Sequence, residues 1–241
     1  MTNWTEGRLK CVIMCGGKST RFGSSGHKSG TEVQGRPLLA HVIEYWQEYA
    51  DDFIFIVKHG KEELVDYIKS LPIRSEFVEP ERLGGIADGL SYAEPFIDGP
   101  FIMVLGDCFC HGEFDFNRNF DYGIGVVESH PEQIKMNYSV EVGDDGLIKF
   151  VKEKPEIILN NLCGTGFYFF QKEIFDYIRK TPPSKRTGEL EITDTLETLL
   201  GENIELTAVK LNGSYVNVTT PQDLDTVREA LITGQDSMQD S

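Results

Sequence analysis

"CVIMCGGKSTRFG", residues 11–23, sets a short apolar, thiol-bearing run directly before two glycines and a basic, hydroxyl-rich loop. An apolar run of this length bounded by glycine fits a strand buried on both faces, as in a parallel sheet covered by helices. Two runs of the same kind follow, "FIFIV" (53–57) and "FIMVLG" (101–106). Between the first two, Leu38, Leu39, Val42, Ile43 and Trp46 of "RPLLAHVIEYWQEY" recur on one helical face. "KEELVDYIKS" and "GGIADGLSYAEPF" supply two more helical segments before Phe101. Strand alternating with helix predicts an α/β fold of βαβ units with right-handed crossovers.

After Asp107 the pattern changes. "YSVEVGDDGLIKFVKEKP" reads as two strands around a "GDDG" turn, a hairpin added to the sheet. "GTGFYFF" reads as a strand, and "QKEIFDYIRK", "GELEITDTLETLLG" and "PQDLDTVREALITG" as helices, the last with Pro221 in its first turn. Residues 235–241 are expected to form a flexible tail. No internal repeat and no linker rich in Pro, Gly or Ser interrupts the chain, which predicts a single domain over 1–241.

Lys and Arg total 23 against 39 Asp and Glu, a formal net charge of -16 that repels nucleic-acid phosphates and anionic membrane surfaces. No apolar run approaches the roughly 20 residues of a membrane span, and "MTNWTEGRLK" lacks the apolar segment of a signal peptide, so a cytoplasmic location is expected. The five cysteines (Cys11, Cys15, Cys108, Cys110, Cys163) are odd in number, and two lie in strand-like runs, as reduced thiols do.

In an open parallel sheet the loop leaving the first strand faces the ligand. Gly16 and Gly17 free the backbone to approach an anion, and successive N–H groups form a nest for phosphate. Lys18, Arg21 and Lys28 add positive charge, Arg21 with a bidentate fork. Neither the P-loop nor the dinucleotide fingerprint fits: residues 16–23 read G-G-K-S-T-R-F-G, with serine where the central glycine of the latter belongs.

"GGKSTRFG", Lys28 and "GRPLL" together resemble the signature of the nucleotidyltransferases that activate sugar 1-phosphates. "GGIADGL", "LGD" (105–107), "EKP" (153–155), "GTGFYFF" and "GELEITD" follow in that family's order, so the resemblance covers about residues 10–230. It implies a Rossmann-like, mostly parallel sheet flanked by helices, with a nucleotide-binding half (10–110) and an acceptor-binding half (111–232). It also implies transfer of a nucleoside monophosphate, pyrimidine favoured, from a nucleoside triphosphate to a sugar 1-phosphate, with release of pyrophosphate and dependence on Mg²⁺. The expected partners are those two small molecules, and a homo-oligomer is compatible with the sequence because relatives vary.

Carried over residue by residue, the resemblance assigns Arg21 and Lys28 to the triphosphate and leaving pyrophosphate, and Lys154 to the acceptor phosphate. Gly16, Gly17, Lys18, Ser19, Thr20, Gly84 and Gly85 are the nucleotide-binding positions. Glu153, Gly166 and Glu189 are the acceptor-binding ones. Asp107 ends an apolar strand, where a carboxylate is costly without a cation or donor, and it matches one Mg²⁺ ligand; Asn217 of "YVNVTTPQDL" matches the other.

Ser19, His27 and the short spacer before Lys28 depart from the sugar-phosphate pattern. The short "RFG" loop is similar to that of transferases that act on phosphorylated alcohols or on molybdopterin, which keeps a cytidylyltransferase for a phosphorylated alcohol, amino alcohol or phosphonate as an alternative. A catalytically inactive nucleotide-sensing module is a second alternative. "DCFCH" (107–111) lacks the paired spacing of a zinc site, "GDDG" has a sufficient reason as a turn, and the carboxylates of "GELEITD" suit a helix start.

Overall fold

The computed structural model describes residues 1–4, 9–16, 28–58, 62–82, 84–116 and 119–239, and for Lys28 and 234–239 the backbone alone. In chain order the first half comprises β1 (Leu9–Cys15), β2 (Glu32–Val33), β3 (Arg36–Pro37), α1 (Leu38–Trp46), β4 (Ala50–Val57), α2 (Glu62–Ser70), β5 (Arg74–Val78), α3 (Ile86–Ser91) and β6 (Phe101–Leu105). The second half comprises β7 (Cys108–Phe114), β8 (Gly123–Glu128), α4 (Pro131–Met136), β9 (Tyr138–Val142), β10 (Ile148–Glu153), β11 (Leu162–Phe170), α5 (Ile174–Lys180), α6 (Ile192–Gly201), β12 (Thr207–Asn217) and α7 (Asp223–Gln239).

The main sheet runs β5-β4-β1-β6-β11-β8-β12-β7, with the β9–β10 hairpin attached to β11. The three apolar runs found in the sequence are its parallel heart, β1 lying between β4 and β6. β11 then enters antiparallel to β6, and the remaining strands mix both directions. The fold is thus α/β with a helix-covered sheet and an added hairpin, as expected. Sequence reading passed over β5, β7, β8, β12 and the small β2–β3 pair. It also began the first helix at "RP", which instead closes that small pair, since Pro37 supplies an extended residue ahead of Leu38. The last helix runs into the stretch expected as tail, to Gln239.

Burial on both faces of β11 explains its four consecutive aromatic residues. Phe167 and Phe169 join Trp4, Trp46, Phe53, Phe55 and Phe114 in the core under α1. Tyr168 and Phe170 point the other way, into the core with Phe101, Phe175 and Leu196 of the α5–α6 side. A third apolar cluster (Val33, Leu38, Phe109, Val216, Val218, Leu224, Val227) docks α7 onto the β7–β12 seam. All five cysteines are buried and none is joined in a disulfide, in agreement with reduced thiols.

Trp46 is fully buried, with the rings of Phe114 and Phe167 at 5.6 and 5.2 Å. Its indole N–H has no hydrogen-bond partner among the described residues. Trp46→Ala is expected to destabilise the protein by about 3–5 kcal/mol, the range for truncating a buried large aromatic. Trp46→Phe should cost distinctly less, because it keeps most of the apolar volume and removes a polar group that gains nothing. Urea denaturation of the three proteins checks both.

Candidate active site

The chain leaves β6 through Gly106 and Asp107. The Gly106 N–H donates to the Met14 carbonyl at 3.0 Å, pinning the end of β6 to the end of β1. A Cβ at Gly106 would lie 2.8 Å from Cys15 Sγ and 3.1 Å from that carbonyl, so only glycine permits this approach. Asp107 is thereby held beside Gly16, where the glycine-rich loop begins. Gly17, Lys18, Ser19, Thr20 and Arg21 lie outside the described residues, as does His27. The backbone of Lys28 opens a 3-10 turn (Lys28–Gly30) leading into β2.

That entry is fastened by His41, buried on α1. Its Nε2 lies 2.9 Å from the Val33 carbonyl and its Nδ1 3.2 Å from Arg36 Nη2. Because a carbonyl only accepts and a guanidinium only donates, the ring is the neutral tautomer with the proton on Nε2. Burial lowers its pKa, which favours that form.

From Asp107 the chain crosses to the far edge of the sheet, where β7 pairs with β12 and Cys108 stands opposite Asn217. The Val218 N–H donates to the Asp107 carbonyl at 2.9 Å. The two residues matched to cation binding, 110 positions apart in sequence, are therefore neighbours. Both present side-chain oxygens, the donor type Mg²⁺ prefers. Gly166 reaches the same place from β11: its N–H donates to Tyr215 Oη at 3.1 Å, and a Cβ there would lie 2.5 Å from Cys108 Sγ. Its N–H is thus already engaged.

Glu153 ends β10, opposite Tyr138. Arg186 Nη2 stands 3.7 Å from its carboxylate. Burial raises the Glu153 pKa, an effect the Arg186 and Lys154 charges only partly offset. Lys154 follows with φ 43, the left-handed region that L residues rarely adopt, and its N–H donates to the Asn137 carbonyl at 2.8 Å. The Asn137 side chain in turn meets Asn217, Nδ2 of Asn217 donating to Oδ1 of Asn137 at 2.6 Å. Lys154, Asn217 and Asp107 are consequently tied into one hydrogen-bonded group.

Gly84 and Gly85 precede α3. Gly85 has φ 107, and a Cβ on it would lie 2.3 Å from the Leu190 carbonyl. The Leu190 N–H donates to Gly84 O at 2.6 Å and the Ala87 N–H to Leu190 O at 3.0 Å. The "GGIADGL" and "GELEITD" segments thus form one unit, on which Glu189 is exposed. One expectation is corrected here: the "GELEITD" stretch is not a helix start through Glu189. α6 begins at Ile192 and its Glu191 cap makes no side-chain capping bond, because Leu190 is drawn into the pairing with Gly84 and the Glu191 carboxylate is held by Thr187 and Arg186.

"GDDG" is a hairpin turn in which Asp145 accepts from the Leu147 N–H and pairs with Lys149. Burial raises the Cys110 thiol well above its ordinary pKa. Among the described residues no group of three or more His, Cys, Asp or Glu is placed to hold a metal, and none of their helices is long and apolar enough to cross a membrane. Sequence reading missed Asn137, Arg186 and Tyr215. Arg186 had a signal in its closeness to "GELE", whereas Asn137 and Tyr215 had none, since their partners lie far away in the chain.

Comparison with known proteins matches residues 11–112 to the MobA-like NTP transferase domain. A bifunctional protein GlmU of Methanocaldococcus jannaschii is 33% identical over 221 residues, 90% of this chain and 52% of that protein. The chain spans about half the length of the curated relatives it first matches. The UTP–glucose-1-phosphate uridylyltransferase AglF of Haloferax volcanii is 28% identical, covering 92% of this chain and 96% of that one. Among solved structures, a UDP-glucose pyrophosphorylase complexed with UDP-glucose superposes with a TM-score of 0.83 at 21% identity, over 94% of this chain and 99% of that one.

The environment of Glu153 generates a pH-dependent expectation. A carboxyl whose pKa is raised by folding contributes full stability below its ordinary pKa of about 4.3 and loses that contribution as pH rises through the raised value. Glu153→Gln, which mimics the neutral acid, should therefore melt higher than wild type at pH 8, with the difference shrinking towards pH 4. Thermal melts across that range, run as paired samples, measure it.

Proposed function

We propose that the chain is a nucleotidyltransferase of the kind that activates sugar phosphates, and that it transfers a nucleoside monophosphate from a pyrimidine nucleoside triphosphate to a sugar 1-phosphate. The observation that carries this reading is the convergence of Asp107, Asn217, Gly166 and Lys154, from four separate segments, beside the start of the glycine-rich loop. UTP and a hexose 1-phosphate are the first pair to test, supported by the name of the Haloferax volcanii relative.

An oxygen of the acceptor phosphate attacks the α-phosphorus, and the bond from that phosphorus to the bridging oxygen of pyrophosphate breaks. A phosphate monoester with a second pKa of about 6 is already mostly dianionic near neutral pH, so no general base is required. Catalysis then rests on positioning two anions in line and neutralising the charge that builds on pyrophosphate. Lys154 holds the acceptor phosphate, and Arg21 and Lys28 take the triphosphate and the departing pyrophosphate. Glu153 accepts hydrogen bonds from sugar hydroxyls, with Glu189 at the same end, and Gly166 is the backbone position close to the sugar. The Gly84–Gly85 backbone faces the base. Asp107 and Asn217 would hold Mg²⁺, which when bound neutralises phosphate charge. A cytoplasmic setting fits this chemistry.

Pyrophosphate release from CTP, UTP, dTTP, GTP and ATP, each against a panel of sugar 1-phosphates and phospho-alcohols, tests the reading. Turnover is expected with UTP or another pyrimidine triphosphate and a sugar 1-phosphate. Turnover only with a phospho-alcohol would move the acceptor, and triphosphate binding without turnover would leave a sensing module. Asp107→Ala should abolish Mg²⁺-dependent turnover in a protein that still folds, as circular dichroism would report. Lys154→Gly separates function from strain, because glycine adopts the left-handed turn freely. Its stability should stay within about 1 kcal/mol of wild type, while kcat/KM for the acceptor falls about 100-fold or more.

A further inference from the structure

We propose that Asn137, to which nothing above gives a chemical role, is a positioning residue that dictates which end of the Asn217 amide is offered to a cation and holds the turn carrying Lys154. The inference rests on the proposed nucleotidyltransferase reading and concerns residues of this chain alone.

The backbone marks Asn137 first. It closes α4 with φ -113 and ψ -125, outside the helical and extended wells. Such a conformation persists only where surrounding contacts over-determine it. The Asn137 N–H donates to the Gln133 and Ile134 carbonyls, both at 3.1 Å, and further contacts fix the rest of the residue. Its Nδ2 donates to the Gln133 carbonyl at 2.9 Å, its Oδ1 accepts from Asn217 Nδ2 at 2.6 Å, and its carbonyl accepts the Lys154 N–H at 2.8 Å.

These contacts leave no freedom in how the two amides face. The Gln133 carbonyl can only accept, so the NH₂ of Asn137 must turn to it and the Oδ1 of Asn137 must turn to Asn217. Asn217 then has to present its own NH₂, which directs its oxygen away from Asn137. That oxygen is the only atom of an asparagine side chain able to ligate a hard cation. The orientation of Asn217 is accordingly decided by donor and acceptor logic that starts at a helix carbonyl.

The same logic explains an asparagine at 217. A carboxylate there has no N–H to give, and would either face the Asn137 oxygen or force that amide to flip its oxygen against the Gln133 carbonyl. Either arrangement sets oxygen against oxygen. Adding a charge to this cation site should therefore fail to strengthen it as long as Asn137 remains. Through its carbonyl, Asn137 also couples this side of the site to the left-handed turn at Lys154.

The test is a double-mutant cycle on the full chain, read as Mn²⁺ affinity by electron paramagnetic resonance with Mn²⁺ alone as probe, and checked for folding by circular dichroism and melting temperature. Asn137→Ala is expected to weaken Mn²⁺ binding about tenfold or more, as loss of an outer-shell partner does. Asn217→Asp alone should bind Mn²⁺ no more tightly than wild type, whereas Asn217→Asp in the Asn137→Ala background should bind about tenfold more tightly than Asn137→Ala itself, as an added ligand charge predicts. If Asn137→Ala does not fold, Asn137→Ser takes its place in the cycle. Tightening by Asn217→Asp to the same extent in both backgrounds, tightening of about tenfold by Asn217→Asp on its own, or unchanged affinity in Asn137→Ala overturns the proposal. Wild-type protein that turns over but gives one of these results sinks the role of Asn137 alone; wild-type protein that neither binds Mn²⁺ nor turns over sinks the proposal and the nucleotidyltransferase reading together.

Discussion

The site depends on the close approach of two strand ends. Gly106 donates its N–H to Met14 across a gap that admits no side chain, so β6 must release the chain at Asp107, directly beside the exit of β1. From there the chain runs to the opposite edge of the sheet and pairs with β12. That pairing has its own steric condition: a Cβ at Gly112 or Gly213 would lie within 2.3 Å of a carbonyl oxygen on the opposing strand. Satisfied together, the two conditions set Asn217 beside Asp107. β11, buried on both faces, brings Gly166 into the same place.

Around this arrangement the protein keeps several groups in costly states. Glu153 is a carboxylate that burial disfavours, and Lys154 and Asn137 occupy backbone conformations of low population. Residues held this way persist where packing over-determines them, and they cluster where geometry matters more than stability. The aromatic core beneath α1 and the α5–α6 core beneath the other face provide that packing.

How legible each part was in the sequence follows from how local its cause is. β1, β4 and β6 announced themselves because strands covered on both faces must be apolar throughout, and α1 because its buried face repeats with the helical period. β7 and β12 did not. Their strand character comes from pairing with each other, and "CFCHGEF" and "TAVKLNGSYVN" alternate polar and apolar residues irregularly. The "GELEITD" segment showed the other kind of failure. It carries helix-start composition, yet tertiary hydrogen bonds to Gly84 delay the helix to Ile192. Asp107 and Lys154 were readable as candidates from motif order, and Asn217 from its place before the last helix. Asn137 sits in "IKMNYSVEV", where nothing distinguishes it from a surface turn residue.

By itself the sequence determined the helix-covered sheet, its parallel centre, the turn at "GDDG" and the chemical types gathered for the site, because these follow from burial pattern, turn chemistry and residue order along the chain. Only the tertiary structure decided which of those residues meet, that the Gly166 N–H is engaged by Tyr215, and that the orientation of Asn217 is set by Asn137. Hydrogen-bond donors and acceptors are matched in space between residues 49 and 80 positions apart, and a linear pattern carries no record of which donor will face which acceptor.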